Sequence, residues 1–305
     1  MTDTPLTVVA AFFNMRREAA RTLYTLSSDY QRGTSASDYD VVAIDNGSTD
    51  PLSDADVTGF GANFRLVRDP EGGPSPAAAV NRVVNEVSTP WVMCVIDGAR
   101  MLSPGIVAAA LGAFREYPEP FVYTIGMHLG SAPQNELVAH GYGKAEEDRL
   151  LNSVEWRRNG YLLFTISTPA LSVVEKGFFS PVLESNCFAL RRATFAQAGG
   201  FDPRFRSPGG GVVNLDLFKR FSEDPRMTPV CLLGEATFHQ FHGGVATNIP
   251  LREHPWDSFA AEYEAIHGRP YAPPSWQEPV YVGTIPEEAR HLGRSAPRAT
   301  VQHGS

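Results

Sequence analysis

Four short runs carry side chains of types and spacings that can do chemistry. Asp45-Asn46-Gly47-Ser48-Thr49-Asp50 follows the apolar run at residues 40–44. Polar groups at such a strand end can hold a nucleoside base or ribose by hydrogen bonds, and the same residues also close an Asx turn. Asp97-Gly98-Ala99-Arg100 follows the apolar run at 91–96. A carboxylate there suits Mg2+, Mn2+ or a ribose hydroxyl, and Arg100 suits a diphosphate; a helix-capping Asp beside a solvated Arg fits equally well. His239 and His242 lie three apart, each directly after a phenylalanine (Phe238 and Phe241), and before Gly243-Gly244. Such a loop can supply metal ligands or phosphate contacts, or hold one satisfied core histidine. Glu184-Ser185-Asn186 either places a carboxylate in a cleft or starts an exposed strand. Gly209-Gly210-Gly211 has neither the GK[ST] ending nor the preceding strand of a phosphate loop. No CxxC, HExxH or Ser/His/Asp arrangement is present, so redox, zincin and hydrolase readings have no support.

The elements that must position these groups alternate. Strands are expected at residues 6–13, 40–44, 64–67 and 91–96, with helices at 16–26 and 76–87, the latter with Ser75 as cap and Pro76 in the first helical position. Strands separated by helices at this rhythm argue for a parallel sheet covered on both faces, whose ligands sit at the strands' carboxyl ends. Farther on, helices are expected at 104–114, 145–156, 192–198 and 215–221, with strands at 121–125 and 187–190. Ser207-Pro208-Gly209-Gly210-Gly211 reads as a flexible loop, the proline-dense 250–285 as an extended wrap, and 290–305 as a disordered tail. With 34 acidic against 26 basic residues and a net charge of −8, the 305-residue chain lacks the footprint of a nucleic-acid binder. No run approaches the roughly eighteen apolar residues of a membrane span, and the N-terminus lacks the basic start of a signal peptide. Cys94, Cys187 and Cys231 are few and far apart in apolar contexts, which predicts buried free thiols and a cytoplasmic location.

Taken in order, these pieces resemble a family 2-type glycosyltransferase of the GT-A fold. VVAAFFNMRREAARTLYTL resembles the family's first strand, Asn and helix, and VVAIDNGSTDP resembles its VVDDGSTD segment. EGGPSPAAAVNRVVNEVSTPWVMCVIDGARMLSPG resembles its Gly-rich turn, ARNxG helix and DxD strand. ESNCFALRRATFAQAGGFDPRF resembles the acceptor-side strand ending in GGFD, and NLDLFKR resembles EDxDLxxR. The resemblance covers about residues 6–245. It implies an α/β GT-A fold, Rossmann-like, with a mostly parallel central sheet flanked by helices. It also implies one domain over 1–250, with a nucleotide-sugar half to about residue 100, an acceptor half beyond it, and 251–305 as a C-terminal extension.

By the same resemblance Phe13 stacks on the base, Asp45 and Asn46 hold base and ribose, and Asn14 and Asn81 join the donor side. Asp97 is the first Asp of DxD, and Asp216 the second acidic residue of EDxDL. Three positions depart from the pattern: Ala99 replaces the second DxD aspartate, Asn46 the base-specifying Asp, and Asn214 the catalytic-base Asp. An amide cannot take up the acceptor's proton. Either Asp216 or Glu184 is the base of an inverting reaction, or the leaving diphosphate assists a retaining one while Asn214 orients the acceptor or the sugar; retention is favoured. Mn2+ or Mg2+ would sit on Asp97 with His242, His239 being the substitute, and Arg100 offers a metal-free alternative. The implied reaction moves a hexosyl group from a nucleotide-diphospho-sugar, GDP-mannose being one option, to a hydroxyl of a soluble glycan or glycosylated acceptor; a homodimer is compatible. The rival is a decayed, non-catalytic sugar-nucleotide binder. A nucleotidyltransferase would need a GxGTR-like loop after the first strand, which this chain lacks.

Overall fold

The computed structural model describes residues 4–171, 177–275 and 277–293. The N-terminal third alternates much as its sequence predicts, with a short α2 that was not expected: β1 (Leu6–Phe12), α1 (Arg16–Thr25), β2 (Tyr39–Asp45), α2 (Asp54–Thr58), β3 (Phe64–Arg68), α3 (Ala77–Glu86) and β4 (Trp91–Val95). All seven residues of β1 are buried, because the sheet is covered on both faces. Val9, Ala11, Val42 and Ile44 pack towards α3, whereas Val8, Ala10, Val41 and Ala43 pack towards α1, the period-two division that the pleat imposes. The helix α3 starts differently from expectation. Pro76 is the N-cap and no side chain caps the helix, because Ser75 Oγ instead donates to the Phe205 carbonyl at 2.8 Å.

The chain continues through β5 (Arg100–Leu102), α4 (Ile106–Glu116), β6 (Pro120–Leu129), α5 (Gln134–Leu137), α6 (Lys144–Asn152), β7 (Ser167–Pro169), β8 (Cys187–Arg191) and α7 (Arg192–Gln197). It ends with α8 (Val213–Ser222), β9 (Thr228–His239), α9 (Trp256–His267) and β10 (Val280–Gly283). The sheet runs β10-β9-β6-β8-β4-β1-β2-β3, with β5 added to β9 and β7 to β6. It is parallel from β4 to β3 and across β6, β9 and β10, and antiparallel on both sides of β8.

That reversal matters for the site. Because β8 runs against β4, its approach at 184–186 lies beside the carboxyl end of β4, and Ile96 N–H donates to the Asn186 carbonyl at 3.2 Å.

Three expectations are corrected. The twelve-residue β9 was not anticipated, and it makes His239 a strand terminus instead of a loop residue. The segment expected to be an extended wrap holds α9, twelve residues long, and β10, which pairs with β9. The glycine stretch before α8 is a tied 3-10 turn: Gly209 N–H donates to the Pro74 carbonyl at 3.0 Å, and Glu262 Oε1 accepts from the N–H groups of Arg206 and Ser207. Of the expected disordered tail, residues 290–292 instead end a 3-10 turn (Glu287–Leu292) with Leu292 buried, and those beyond position 293 lie outside the described residues. All three cysteines are free and buried, and no helix among the described residues is long and apolar enough to cross a membrane.

Candidate active site

Asp97 leaves β4 at its carboxyl end, and β9 delivers His239 beside it through its pairing with β5, where Arg100 lies opposite His239. Asp97 Oδ2 stands 3.3 Å from His239 Nε2, and Oδ1 stands 4.0 Å from His242 Nε2. The three ligand atoms lie within 4.8 Å of one another. Donors held about 2.1 Å from a single divalent ion lie about 3–4 Å apart, so the cluster has the spacing of one site.

The hydrogen bonds behind His239 fix which of its nitrogens carries the proton. Gln134 Nε2 donates to the carbonyls of Leu129 (3.3 Å) and His239 (3.0 Å), so its Oε1 must accept. That oxygen receives Asn248 Nδ2 at 2.8 Å and His239 Nδ1 at 2.7 Å. The imidazole proton therefore sits on Nδ1, and the Nε2 lone pair faces Asp97 and the Thr247 hydroxyl, each at 3.3 Å. Burial, with Arg100 nearby, pushes the His239 pKa down to about 4, so the ring is neutral at pH 7. A neutral imidazole and a carboxylate facing each other at 3.3 Å present electron pairs to the same point, which suits a cation.

The loop carrying His242 is fixed as firmly. Asn248 Oδ1 accepts from the N–H groups of His242, Gly243 and Gly244 at 3.0–3.1 Å. Glu147 accepts from Phe241 N–H and pairs with Arg17 and Arg21 at 3.1 and 3.0 Å. Thr22 of α1 ties the two loops together, donating to the Gly98 carbonyl at 2.6 Å and accepting from Gln240 at 3.1 Å. None of Gln134, Asn248, Thr22 or Glu147 stood out in the sequence, since an isolated amide, hydroxyl or helical Glu carries no spacing signal.

Arg100 is 5% exposed and donates through Nε to Asp97 Oδ2 at 3.2 Å; its Nη1 is buried without a hydrogen-bond partner. Its charge is thus partly committed to Asp97.

A cavity of about 310 Å3 opens in front of this cluster. Phe13, Asn46, Asp97, Arg100, Glu184, Asn214 and His242 all line it, so the structure brings together both halves of the expected site. Asn214, in the first turn of α8, donates through Nδ2 to Glu184 Oε2 at 3.0 Å.

Four other expected residues do not line the cavity and are engaged elsewhere. Asp216 pairs with Arg220 at 2.9 Å and His267 at 3.3 Å. Asp45 accepts from the N–H groups of Ser48 and Leu52 at 3.0 and 2.8 Å, closing its own loop. Asn14 accepts from Thr49 N–H and Oγ1 at 2.8 and 2.9 Å. Asn81 clasps Phe201, donating to its carbonyl at 2.7 Å and accepting from its N–H at 2.9 Å. Asn46 lines the cavity, but its amide N–H groups are taken by the carbonyls of Gly73 and Ser75, which leaves it an acceptor towards a ligand. His254, Trp256 and Phe259 form a wall that the sequence reading missed.

No protein-family model matches the sequence, and no curated protein matches it either. Solved structures resemble the fold distantly. TarS of S. aureus shares 12% identity over 77% of this chain and 60% of its own, with a TM-score of 0.46. Glucosyl-3-phosphoglycerate synthase from Mycobacterium tuberculosis, in complex with phosphoglyceric acid, shares 19% over 88% and 81%, with a TM-score of 0.47. Mannosyltransferase PcManGT from Pyrobaculum calidifontis, in complex with GDP-Man and Mn2+, shares 16% over 68% and 50%, with a TM-score of 0.39. The chain spans 36–60% of the length of the TarS structures it matches. Likeness of this order leaves the function to rest on the chain's own residues.

Proposed function

We propose that this protein is a GT-A-type glycosyltransferase that moves a hexosyl group from a nucleotide-diphospho-sugar to an acceptor hydroxyl. The observation that carries the reading is the Asp97–His239–His242 cluster, set at the carboxyl end of β4 and facing Glu184 and Asn214 across one cavity. Phe13 and Asn46, at the ends of β1 and β2, supply an aromatic face and an acceptor on the donor side.

The diphosphate brings about two negative charges to a cavity whose Arg100 already faces Asp97. Asp97, His239 and His242 would therefore hold a divalent ion, and the mixed carboxylate and imidazole set favours Mn2+ over Mg2+. When bound, that ion supplies the positive charge that stabilises the leaving diphosphate. Asn214 holds the Glu184 carboxylate at the opposite wall, where the acceptor hydroxyl must lie.

Asp216, engaged by Arg220 and His267, is not the base in this reading. Retention, with the leaving diphosphate drawing off the proton on the donor face and Glu184 with Asn214 orienting the acceptor, is the favoured course. Inversion with Glu184 as base is the second course, favoured by the entry of that carboxylate into the cavity. The test is release of nucleoside diphosphate from UDP-, GDP- and dTDP-sugars, GDP-mannose included, with Mn2+ and with excess EDTA. An α-linked product by NMR supports retention, and a β-linked product from an α-linked donor means inversion. If no sugar nucleotide binds or turns over in this panel, the reading fails; binding without turnover identifies a sugar-nucleotide-binding protein.

A further inference from the structure

Three of the four large apolar side chains left exposed among the described residues fall in one stretch: Val245 at 39%, Leu251 at 54% and Trp256 at 43%. Val245 and Trp256 also line the cavity, whose wall continues inward through Phe259, Val212 and Leu215. An apolar surface thus begins at His242 and runs out to solvent along the segment that carries that histidine. The Trp256 ring is flanked by His254 and Tyr271, at centroid distances of 6.4 and 6.2 Å. Exposed apolar groups gathered at a cavity mouth mark a binding surface, and a Trp face suits flat or chain-like apolar groups.

Charge narrows the occupant further. Among the described lining residues the only Lys or Arg is Arg100, 5% exposed and paired with Asp97. The outer wall offers Glu184 and His254, whose pKa burial pushes down, so it holds no cation at pH 7. An anionic acceptor would meet the Glu184 carboxylate uncompensated.

We propose that the outer half of the cavity takes an uncharged acceptor whose reactive hydroxyl adjoins an apolar group, as in an aryl or alkyl glycoside, with that group laid on Trp256 beside Val245. This inference rests on the glycosyl-transfer reading. It commits to the acceptor over a protein partner because the patch is continuous with the inner wall, and a partner covering it would close the mouth.

The experiment compares p-nitrophenyl, octyl and methyl glycosides and the 6-phosphate of one hexose as acceptors for the full-length, Mn2+-loaded protein. A higher kcat/KM for aryl and octyl glycosides than for the methyl glycoside is expected, by about tenfold, with the sugar phosphate poorest. Trp256→Ala should bring the aryl-to-methyl ratio close to one, while Trp256→Phe keeps most of it. An aryl advantage over octyl assigns ring stacking, and the reverse assigns a chain-binding wall. Equal or better use of the sugar phosphate, or a preference untouched by Trp256→Ala, overturns the proposal. So does a dimer in sedimentation that Trp256→Ala dissolves. Saturation-transfer NMR with the p-nitrophenyl glycoside reads binding without turnover. If no sugar nucleotide turns over but this contact is saturable and lost in Trp256→Ala, the transfer reading falls and the apolar site stands; transfer to acceptors without this contact leaves the opposite result.

Discussion

Asp97 meets Arg100 three residues on and His239 from β9; Asp216 meets Arg220 four residues on and His267 from α9. The two clusters share the same residue types at similar distances. Around Asp216, however, Arg220 spends its remaining donors on the carbonyls of Ala198 and Gly200 at 3.2 and 2.7 Å, so the group clasps α8 to the turn that ends α7. Around Asp97 the amides of Gln134 and Asn248 hold two histidines so that their Nε2 atoms converge on its carboxylate, beside a cavity that Asp97 and His242 line. What separates a site from a clasp here is the direction of the lone pairs and the space before them, not the composition.

The comparison breaks first at Asp97. Asp97→Asn should lower turnover by roughly two to three orders of magnitude and abolish Mn2+ binding by electron paramagnetic resonance, with the fold intact by circular dichroism. Unchanged Mn2+ binding would remove the cluster from the site. Asp216→Ala should do the reverse, costing about 2–3 kcal/mol of stability in urea unfolding because Arg220 and His267 lose their partner, while kcat stays within a few-fold. A hundredfold loss of kcat in a folded Asp216→Asn variant would restore Asp216 as the base.

A smaller effect sharpens the contrast. Gln134→Leu should weaken Mn2+ binding about tenfold to a hundredfold and release the His239 tautomer. Nitrogen-15 NMR of the metal-free protein then shows protonation shared between Nδ1 and Nε2 where the wild type has Nδ1–H alone. The last prediction concerns Glu147, whose pKa burial raises to about 6 from the ordinary 4.5. A carboxyl with a raised folded pKa binds its proton more tightly in the fold than in the unfolded chain. Its contribution therefore favours the fold below about pH 4.5 and is lost as pH rises through about 6, by about 2 kcal/mol. Glu147→Gln should flatten that part of the stability profile; an unchanged slope assigns it to other groups.

The same distinction explains what the sequence discloses. Asp97, His239 and His242 are legible because strand ends and close histidines are rare signals. Asp45, Asn14 and Asn81 belong to equally good motifs, yet Asp45 closes its own turn and the two asparagines tie remote segments together, uses that residue type cannot separate from ligand binding. Most of the N-terminal third follows from unbroken apolar runs, whose alternate residues pack on opposite faces. The strand β9 escapes because Gly234, at φ 79°, and buried Glu235 interrupt its pattern. Among the described residues that carboxylate is satisfied by Ser103, Gly105 and Tyr161, which are remote in sequence. The helix α9 hides among prolines, although Pro255 stands at its N-cap, where a missing N–H costs nothing. Trp256 was lost from the site with it.

The antiparallel insertion of β8 carries one more consequence. Asp97 follows β4 and Glu184 precedes β8, and these strands are neighbours in one hydrogen-bonded lattice, so the two walls of the cavity cannot swing apart like jaws. Any widening of the cavity is left to its rim, where the 207–211 turn crosses three successive glycines at positive φ and is held by Pro74 on one side and Glu262 on the other.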